Sequence, residues 1–239
     1  GRSSNRRQLY ERLRYLEPST SFRGRWQYNN LMFVTAGYLI EQITGRSWDD
    51  LIRERIFGRL GMNRSNSSTY DMPNSGDFSY PYSLRDGELT RVPFRNLDNA
   101  GPAGSINSSV EEMLYYIEMH INMGEQNGHR ILSKENEEMM QRAQSVVGAR
   151  DRYPELGPAT YGLATNVSSY RGRKWVQHGG GIDGFISQMA WLPNDGIGVM
   201  VLSNMSGSAN PVPNMVVRRV FDDLLGEVDP PRYEVETRA

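Results

Sequence analysis

The stretch Trp175-Val-Gln-His-Gly-Gly-Gly-Ile-Asp-Gly-Phe185 places a histidine and three consecutive glycines between two runs of strand-forming residues. Residues two apart on an extended strand share a face, so His178 and Gly180 are expected to point the same way. A side chain that exchanges protons near neutral pH would then lie beside a position with no side chain. A bare strand position also lets a peptide backbone pair with the strand. The stretch therefore indicates a reactive site on a strand; a simple bend or bulge between two strands is the alternative.

Alternating runs on both sides of this stretch predict a sheet. Four strands are expected, over residues 161–167, 174–178, 185–192 and 197–202. Pro193-Asn-Asp-Gly196, between the last two strands, is typical of a hairpin turn. Residues 212–225 then return to helical spacing and end at Gly226, so a helix is expected to pack back on an antiparallel sheet.

The first 150 residues have helical periodicity instead. Helices are predicted over residues 5–15, 31–43, 48–61, 109–123 and 133–141. Asn30 is the predicted N-cap of the second helix. Residues 63–104 form a long segment rich in Ser, Asn, Pro and Gly, with one possible short strand at 91–95. Loops of this length tend to cover functional sites. The aromatic residues within the loop either wall a cleft or pack on the helices: Tyr70, Phe78, Tyr80, Tyr82 and Phe94.

The order of these elements predicts an α/β fold of the α+β kind, an antiparallel sheet flanked by helices. A helical subdomain is expected at about 30–150, the sheet and last helix at about 158–226, and a linker or tail at 227–239. Four strands with one covering helix make an incomplete layer, so further strands are expected before residue 1. Gly1-Arg-Ser-Ser4 also carries no initiator methionine or signal peptide. Residues 1–226 are therefore interpreted as the C-terminal portion of a domain that is incomplete at its N-terminus.

Composition excludes several classes of function. The net charge of -1 and the pI near 6.4 argue against nucleic acid or an anionic membrane as the main partner. No apolar run reaches membrane-spanning length. The chain has no cysteine, which rules out disulfides and thiolate catalysis. No cluster has the spacing of a zinc site, so neither a metal nor another cofactor is expected, and His120 and His129 are predicted to be surface or capping residues.

Tyr28-Asn-Asn30 is the second informative stretch. Extended backbone that enters a helix would point Tyr28 and Asn30 the same way, with a phenol and an amide side by side at the helix N-terminus. A tyrosine with a pKa near 10 is a poor base at neutral pH unless a cation lies close to it. The alternative is a tyrosine packed at a helix start, with Asn30 as a plain cap.

Taken together, Tyr-x-Asn at 28–30 and His-x-Gly at 178–180 resemble the serine β-lactamase-related superfamily. The resemblance is greatest to the branch with class C β-lactamases, D-Ala-D-Ala carboxypeptidases, D-aminopeptidases and family VIII esterases. It extends from residue 1 to about 226 and is carried by the order, spacing and flanks of the motifs. Further matching runs are Ala36-Gly-Tyr-Leu-Ile-Glu41, Ile56-Phe-Gly-Arg-Leu-Gly-Met62, Ala103-Gly-Ser-Ile-Asn-Ser-Ser109, Ala190-Trp-Leu-Pro193 and Val201-Leu-Ser-Asn204. The resemblance implies a β-lactamase/transpeptidase-like fold and slightly favours an extracytoplasmic location.

The resemblance also implies metal-free acyl transfer to water through a serine ester, on a peptide, amide or ester. Tyr28 would relay protons, and Asn30 would bind the substrate amide. His178 would replace the strand lysine of the family. Gly180 would make room for the acyl chain, and the backbone N–H of Gly181 would form half of the oxyanion hole.

The chain departs from the family pattern at the nucleophile. No serine is followed by a lysine three residues later, so the Ser-x-x-Lys motif is absent. In the family this motif lies roughly a hundred residues before Tyr-x-Asn, which falls before Gly1. The expected partner is therefore a missing N-terminal segment with Ser-x-x-Lys, in the same or a separate chain, and this chain alone is expected to be inactive. A catalytically inactive binding or scaffold protein is the alternative; a Ser-His-Asp site at Ser187 or Ser203 is disfavoured because neither lies in a Gly-x-Ser-x-Gly turn.

Overall fold

A computed structural model describes residues 4–148, 153–206 and 211–227 of the chain. Its α-helices are α1 (Arg6–Arg12), α2 (Asn30–Thr44), α3 (Trp48–Ile52), α4 (Gly58–Leu60), α5 (Val110–Ile121), α6 (Lys134–Met140) and α7 (Val212–Leu225). A π-helical turn (Arg53–Phe57) joins α3 to α4. The strands are β1 (Tyr82–Arg85), β2 (Glu88–Arg91), β3 (Glu125–Gln126), β4 (His129–Arg130), β5 (Ser145–Gly148), β6 (Ala159–Tyr161), β7 (Asn166–Tyr170), β8 (Arg173–Ile182), β9 (Phe185–Leu192), β10 (Ile197–Ser203) and β11 (Met205–Ser206).

Six antiparallel strands form the main sheet, in the order β10-β9-β8-β7-β6-β5. Alternation along the central strands sends side chains to opposite faces. On one face, Trp175, Ala190 and Leu192 pack with Val217 and Phe221 of α7. On the other, Val176 and Trp191 pack with Ile117 of α5 in a second core cluster. The predicted antiparallel sheet flanked by helices is confirmed.

The sheet has two more strands than the sequence predicted. The run 161–167 is not one strand, because the chain turns between β6 and β7. Ala164 has a φ of +67° in this turn, and Gly162 N donates to Thr165 O at 2.7 Å. Strand β5 was not predicted, since Ser-Val-Val-Gly is too short to show alternation. The strands expected at 174–178, 185–192 and 197–202 are confirmed as parts of β8, β9 and β10.

The predicted helices are all present, with one wrong cap. Asn29, and not Asn30, is the N-cap of α2: its backbone is extended (φ -148°, ψ 106°) and its side-chain oxygen accepts a hydrogen bond from Leu31 N at 2.9 Å. Asn30 is the first helical residue. Two adjacent asparagines have the same capping chemistry, and only the backbone conformation decides between them.

The long loop contains a hairpin and two short 3-10 turns. Strand β2 ends at Arg91, so the strand predicted at 91–95 is misplaced. Pro93 lacks the backbone N–H that a continuing ladder would need. Strand β1 also pairs in parallel with β11, which ties the loop to the main body of the fold.

The prediction that His120 is a surface or capping residue is wrong. Its side chain is 1% exposed, lies 2.7 Å from Glu137 through Nδ1, and stacks on Trp191. Its position in the last turn of α5 gave no sign that α6 would cover it. His129 is exposed in β4, as predicted.

The remaining expectations concern membrane spans, metal sites, the tail and the subdomain limits. No helix of the described residues is long and apolar enough to cross a membrane. Within the same ranges, no group of three or more His, Asp or Glu side chains could hold a metal ion. Residues 228–239, most of the predicted tail, lie outside the described residues, and the subdomain limits of 30–150 and 158–226 stay a prediction.

Candidate active site

Strand β8 continues past the end of its neighbour β7. Its pairing with β7 runs from Arg173 to Gln177, whereas its pairing with β9 continues to Ile182. From His178 to Ile182, therefore, no strand of the described ranges pairs with the second edge of β8. An exposed edge of this kind presents backbone N–H and C=O groups to an extended peptide. The prediction that the three glycines lie on a strand is confirmed, and the alternative of a bend is wrong, because residues 173–182 form one continuous strand.

Residues that face each other across antiparallel strands lie on the same side of the sheet. His178, Gly180 and Ile182 pair with Met189, Ser187 and Phe185, so these six residues share one face. A Cβ atom on Gly180 would lie only 2.6 Å from Ser187 Oγ, whereas a Cβ on Gly181 would meet no heavy atom within 4 Å. The serine hydroxyl therefore fills the space over Gly180, whereas the open position at Gly181 lies on the opposite face of the sheet.

Tyr28 reaches this face from the start of α2. Its ring centroid lies 6.0 Å from that of His178, with 40° between the ring planes. The side chain is 44% exposed, and partial burial raises the pKa of Tyr28 above its ordinary value because phenolate is less well solvated there. The structure thus brings together two side chains that are 150 positions apart in the sequence.

The other predicted site residues are distributed as follows. Gly180 and Gly181 lie on β8 next to His178, and both are exposed. Asn30 lies in the first turn of α2, two residues after Tyr28, and is also exposed. In the described part of the chain, the Asn30 side chain makes no hydrogen bond to Tyr28 or His178. The structure therefore places the ring of Tyr28 near His178 of β8. Asn30 is near the site because it lies two residues after Tyr28 in the chain.

Sequence reasoning missed Tyr161. This tyrosine ends β6, and its hydroxyl lies 3.1 Å from His178 Nε2. Its ring also contacts Tyr28 and Trp26, at centroid distances of 6.3 and 5.5 Å. Burial, reinforced by the nearby Tyr28, raises the pKa of Tyr161 to about 12. The residue lies inside a run that predicted a plain strand. The strand register aligns Tyr161 with Asn166 and Gln177, and its hydroxyl reaches the neighbouring His178, a contact that only the folded structure shows.

Comparison with known sequences assigns the family. The sequence model described as Beta-lactamase matches residues 1–220. The chain belongs to the β-lactamase family. The resemblance inferred from Tyr-x-Asn and His-x-Gly is thereby confirmed.

Two curated relatives of this β-lactamase-family chain are hydrolases. An unguisins hydrolase of Aspergillus campestris is 30% identical over 237 residues, which are 98% of this chain and 43% of the relative. A D-aminopeptidase of Cereibacter sphaeroides is 31% identical over 200 residues, which are 82% of this chain and 34% of the relative. The chain thus spans less than half the length of these relatives.

Solved structures confirm the fold of this family member. The octameric penicillin-binding protein homologue from Pyrococcus abyssi matches with a TM-score of 0.74 and 28% identity, over 85% of this chain and 43% of that one. The mixed α/β architecture with an antiparallel sheet is therefore that of the penicillin-binding proteins and their relatives.

An aromatic cluster from the long loop packs beside the turn between β8 and β9. Phe94 stacks on Phe185 of β9, with 6.3 Å between ring centroids, and Phe78 and Tyr80 pack against Phe94. The turn between β8 and β9 holds this cluster in place, because a Cβ on Gly184 would lie 2.1 Å from Pro81 Cβ. Three of the five loop aromatics, Phe78, Tyr80 and Phe94, therefore cluster with Phe185 at the end of the site face, whereas Tyr70 is exposed.

Proposed function

We propose that this chain supplies part of the active site of a serine hydrolase of the β-lactamase type, which transfers an acyl group to water through a serine ester. The nucleophile would come from a Ser-x-x-Lys segment outside residues 1–239, in the same or a separate chain. The meeting of Tyr28 and His178 beside the unpaired edge of β8 carries this proposal. The name of one relative, D-aminopeptidase, favours a peptide or amide over an ester.

Tyr28 would move protons in both halves of the reaction. In acylation, the serine oxygen bonds to the carbonyl carbon, the bond to the leaving amine breaks, and Tyr28 passes the serine proton to that amine. In deacylation, Tyr28 takes a proton from the water that attacks the ester carbon and gives it to the serine oxygen as the bond between that oxygen and the acyl carbon breaks and the acid is released. A phenol whose pKa is raised by burial needs a nearby cation for this work, and the lysine of Ser-x-x-Lys would supply it.

The strand would hold the substrate and the developing negative charge. An extended substrate backbone would pair with the edge of β8 beyond Gln177, where β7 has ended. The Gly181 N–H, together with the N–H of the serine, would donate to the oxyanion. The acyl side chain would lie beside Gly180 on the face that carries His178, bordered by Ser187, and Asn30 would bind the substrate amide from the helix side.

A covalent serine probe tests the proposal. A fluorophosphonate should label the full-length protein at the serine of Ser-x-x-Lys, and Tyr28→Phe should slow labelling by about 10²-fold, the usual effect of losing a general acid–base group. Tyr70→Phe is the matched control, because this loop tyrosine is 76% exposed and should label at the wild-type rate. An unlabelled full-length protein would instead support the inactive binding or scaffold alternative. Equal labelling of Tyr28→Phe and wild type would remove Tyr28 from the mechanism.

A further inference from the structure

Both ring nitrogens of His178 have hydrogen-bond partners. Nδ1 lies 2.7 Å from the carbonyl oxygen of Gly179. Because a carbonyl oxygen only accepts hydrogen bonds, Nδ1 must carry the proton. In the neutral ring Nε2 is then an acceptor, and the Tyr161 hydroxyl, 3.1 Å away, is the donor. These two contacts select one tautomer of the imidazole.

Tyr161 is itself held in place by the sheet and by other rings. It pairs with Ser145 of β5 and Asn166 of β7, and its carbonyl accepts a hydrogen bond from Gln144 N at 2.8 Å. Its ring also lies against Trp26, with 5.5 Å between the ring centroids. Since burial raises the pKa of Tyr161 to about 12, the phenol keeps its proton at neutral pH and remains a donor.

We propose that Tyr161 is a positioning residue that holds His178 in the Nδ1–H tautomer and turns the face of the imidazole, not a nitrogen, towards Tyr28. The ring planes of Tyr28 and His178 are inclined by 40° with centroids 6.0 Å apart, and no hydrogen bond joins them in the described structure. The catalytic consequence rests on the proposed function: with both nitrogens occupied, His178 is neither a free base nor a free donor to a substrate carboxylate. Proton transfer is then left to Tyr28.

Nitrogen-15 NMR of the histidine ring tests the contact without any need for activity. The His178 signals of the full-length protein are identified by their loss in His178→Gln. Wild type should show a protonated Nδ1 and an unprotonated Nε2, the reverse of the tautomer that a free imidazole prefers in water. In Tyr161→Phe the Nε2 resonance should move downfield, as an imidazole nitrogen does when it loses a donor. Tyr28→Phe is the matched control, because Tyr28 contacts the same ring without a hydrogen bond. The His178 Nε2 resonance should therefore not move in this variant.

Two results would overturn the assignment: a protonated Nε2 in neutral wild-type His178, or an Nε2 resonance that is the same in Tyr161→Phe and wild type. The wild-type spectrum decides the first point even if Tyr161→Phe does not fold.

Kinetics of the full-length protein then test the positioning role. Tyr161→Phe should lower kcat by about tenfold with little change in KM, because a misplaced group costs rate rather than ground-state binding. An unchanged kcat alongside a shifted Nε2 resonance would contradict positioning. If wild type shows no turnover on any peptide or amide, the proposed function fails, whereas the spectrum still decides the hydrogen bond to Tyr161.

Discussion

At the scale of single residues, a buried polar cluster joins α5 to α6. His120 and Glu137 are 1% and 0% exposed, and Glu137 Oε1 lies 2.7 Å from His120 Nδ1. The same oxygen accepts a hydrogen bond from Gln141 Nε2 at 2.6 Å, and Gln141 also donates to the His120 carbonyl. Trp191 of the sheet stacks on the imidazole at 5.0 Å. The helices are therefore tied to each other and to the sheet through polar groups that have no access to water.

Loss of Glu137 should be costly. Glu137→Ala leaves His120 and Gln141 without their shared acceptor, so we expect the free energy of unfolding to fall by about 3 kcal/mol. Urea denaturation followed by circular dichroism measures the change. The adjacent Glu138 is exposed, and Glu138→Ala should stay within about 0.5 kcal/mol of wild type. Equal losses in the two variants would mean that the buried cluster adds no stability.

Tyr161 should also make stability depend on pH in the alkaline range. In the unfolded chain a tyrosine ionises near pH 10, whereas the folded environment raises the pKa of Tyr161 to about 12. Between these values the folded state binds more protons, so raising the pH favours unfolding. The stabilising contribution is complete below about pH 10 and is lost as the pH passes about 12.

Urea unfolding at about pH 9 and about pH 11.5 measures this effect. Wild type should lose more stability between the two values than Tyr161→Phe does. Tyr70→Phe, at an exposed position, should lose as much as wild type. If Tyr161→Phe loses as much stability as wild type between these two pH values, the pKa of Tyr161 is the same in the folded and unfolded states.

At the scale of secondary-structure elements, close helix packing positions the start of α2, where Tyr28 enters the site. Gly37 lies on the buried side of α2, and a Cβ there would be 2.1 Å from Cγ of Pro102, in the 3-10 turn before α5. The helix and the turn can therefore approach each other only because residue 37 has no side chain. Leu39 and Ile43, on the other side of α2, are exposed, so the helix buries only the side that carries Gly37.

Gly37→Ala separates intrinsic helix propensity from packing. Propensity alone predicts that alanine would stabilise α2 by about 1 kcal/mol. The overlap with Pro102 predicts the opposite sign, and we expect a net loss of about 1–3 kcal/mol in the free energy of unfolding. Gln42→Ala, on the exposed side of the same helix, should change it by less than about 0.5 kcal/mol. A stabilised Gly37→Ala protein would show that the turn with Pro102 can move away from α2 without loss of stability.

At the scale of the whole molecule, the candidate site combines the two parts of the chain that differ most in structure. Tyr28 belongs to the helical part and His178 to the sheet, and α5 packs on β9 and β10 to hold the two parts together. Burial is the one cause of the raised pKa of Tyr28 within the described residues. The proposed nucleophile segment would add a lysine cation at this point.

The lysine of the Ser-x-x-Lys segment should change the pKa of Tyr28. In the full-length protein, a lysine beside the phenol should lower this pKa by about 1–3, since an opposite charge favours phenolate. NMR titration of tyrosine labelled with carbon-13 at Cζ follows it, with Tyr28→Phe to identify the signal. Replacement of the lysine of Ser-x-x-Lys by methionine should restore the raised pKa. A Tyr28 pKa that is the same with and without this lysine would contradict the proposed pairing.

The sequence by itself predicted the helices, the central strands and the family. It also predicted that Tyr28 and His178 would lie close together. Helical and strand periodicities are local, and the two motifs occur in a fixed order, so both can be recognised without knowledge of contacts. The turn between β6 and β7 and the choice of Asn29 as the cap were missed, because neighbouring residues of similar character left the local signal ambiguous.

Only the tertiary structure revealed the contacts of Tyr161, Ser187 and His120. Tyr161 contacts His178 although the strand register aligns it with the preceding residue, Gln177. Ser187 fills the space over Gly180 because β9 pairs opposite it. His120 is buried because α6 folds over the end of α5. Each of these contacts joins residues on different strands or helices, and their identity depends on strand pairing and packing, which no local pattern of residues encodes.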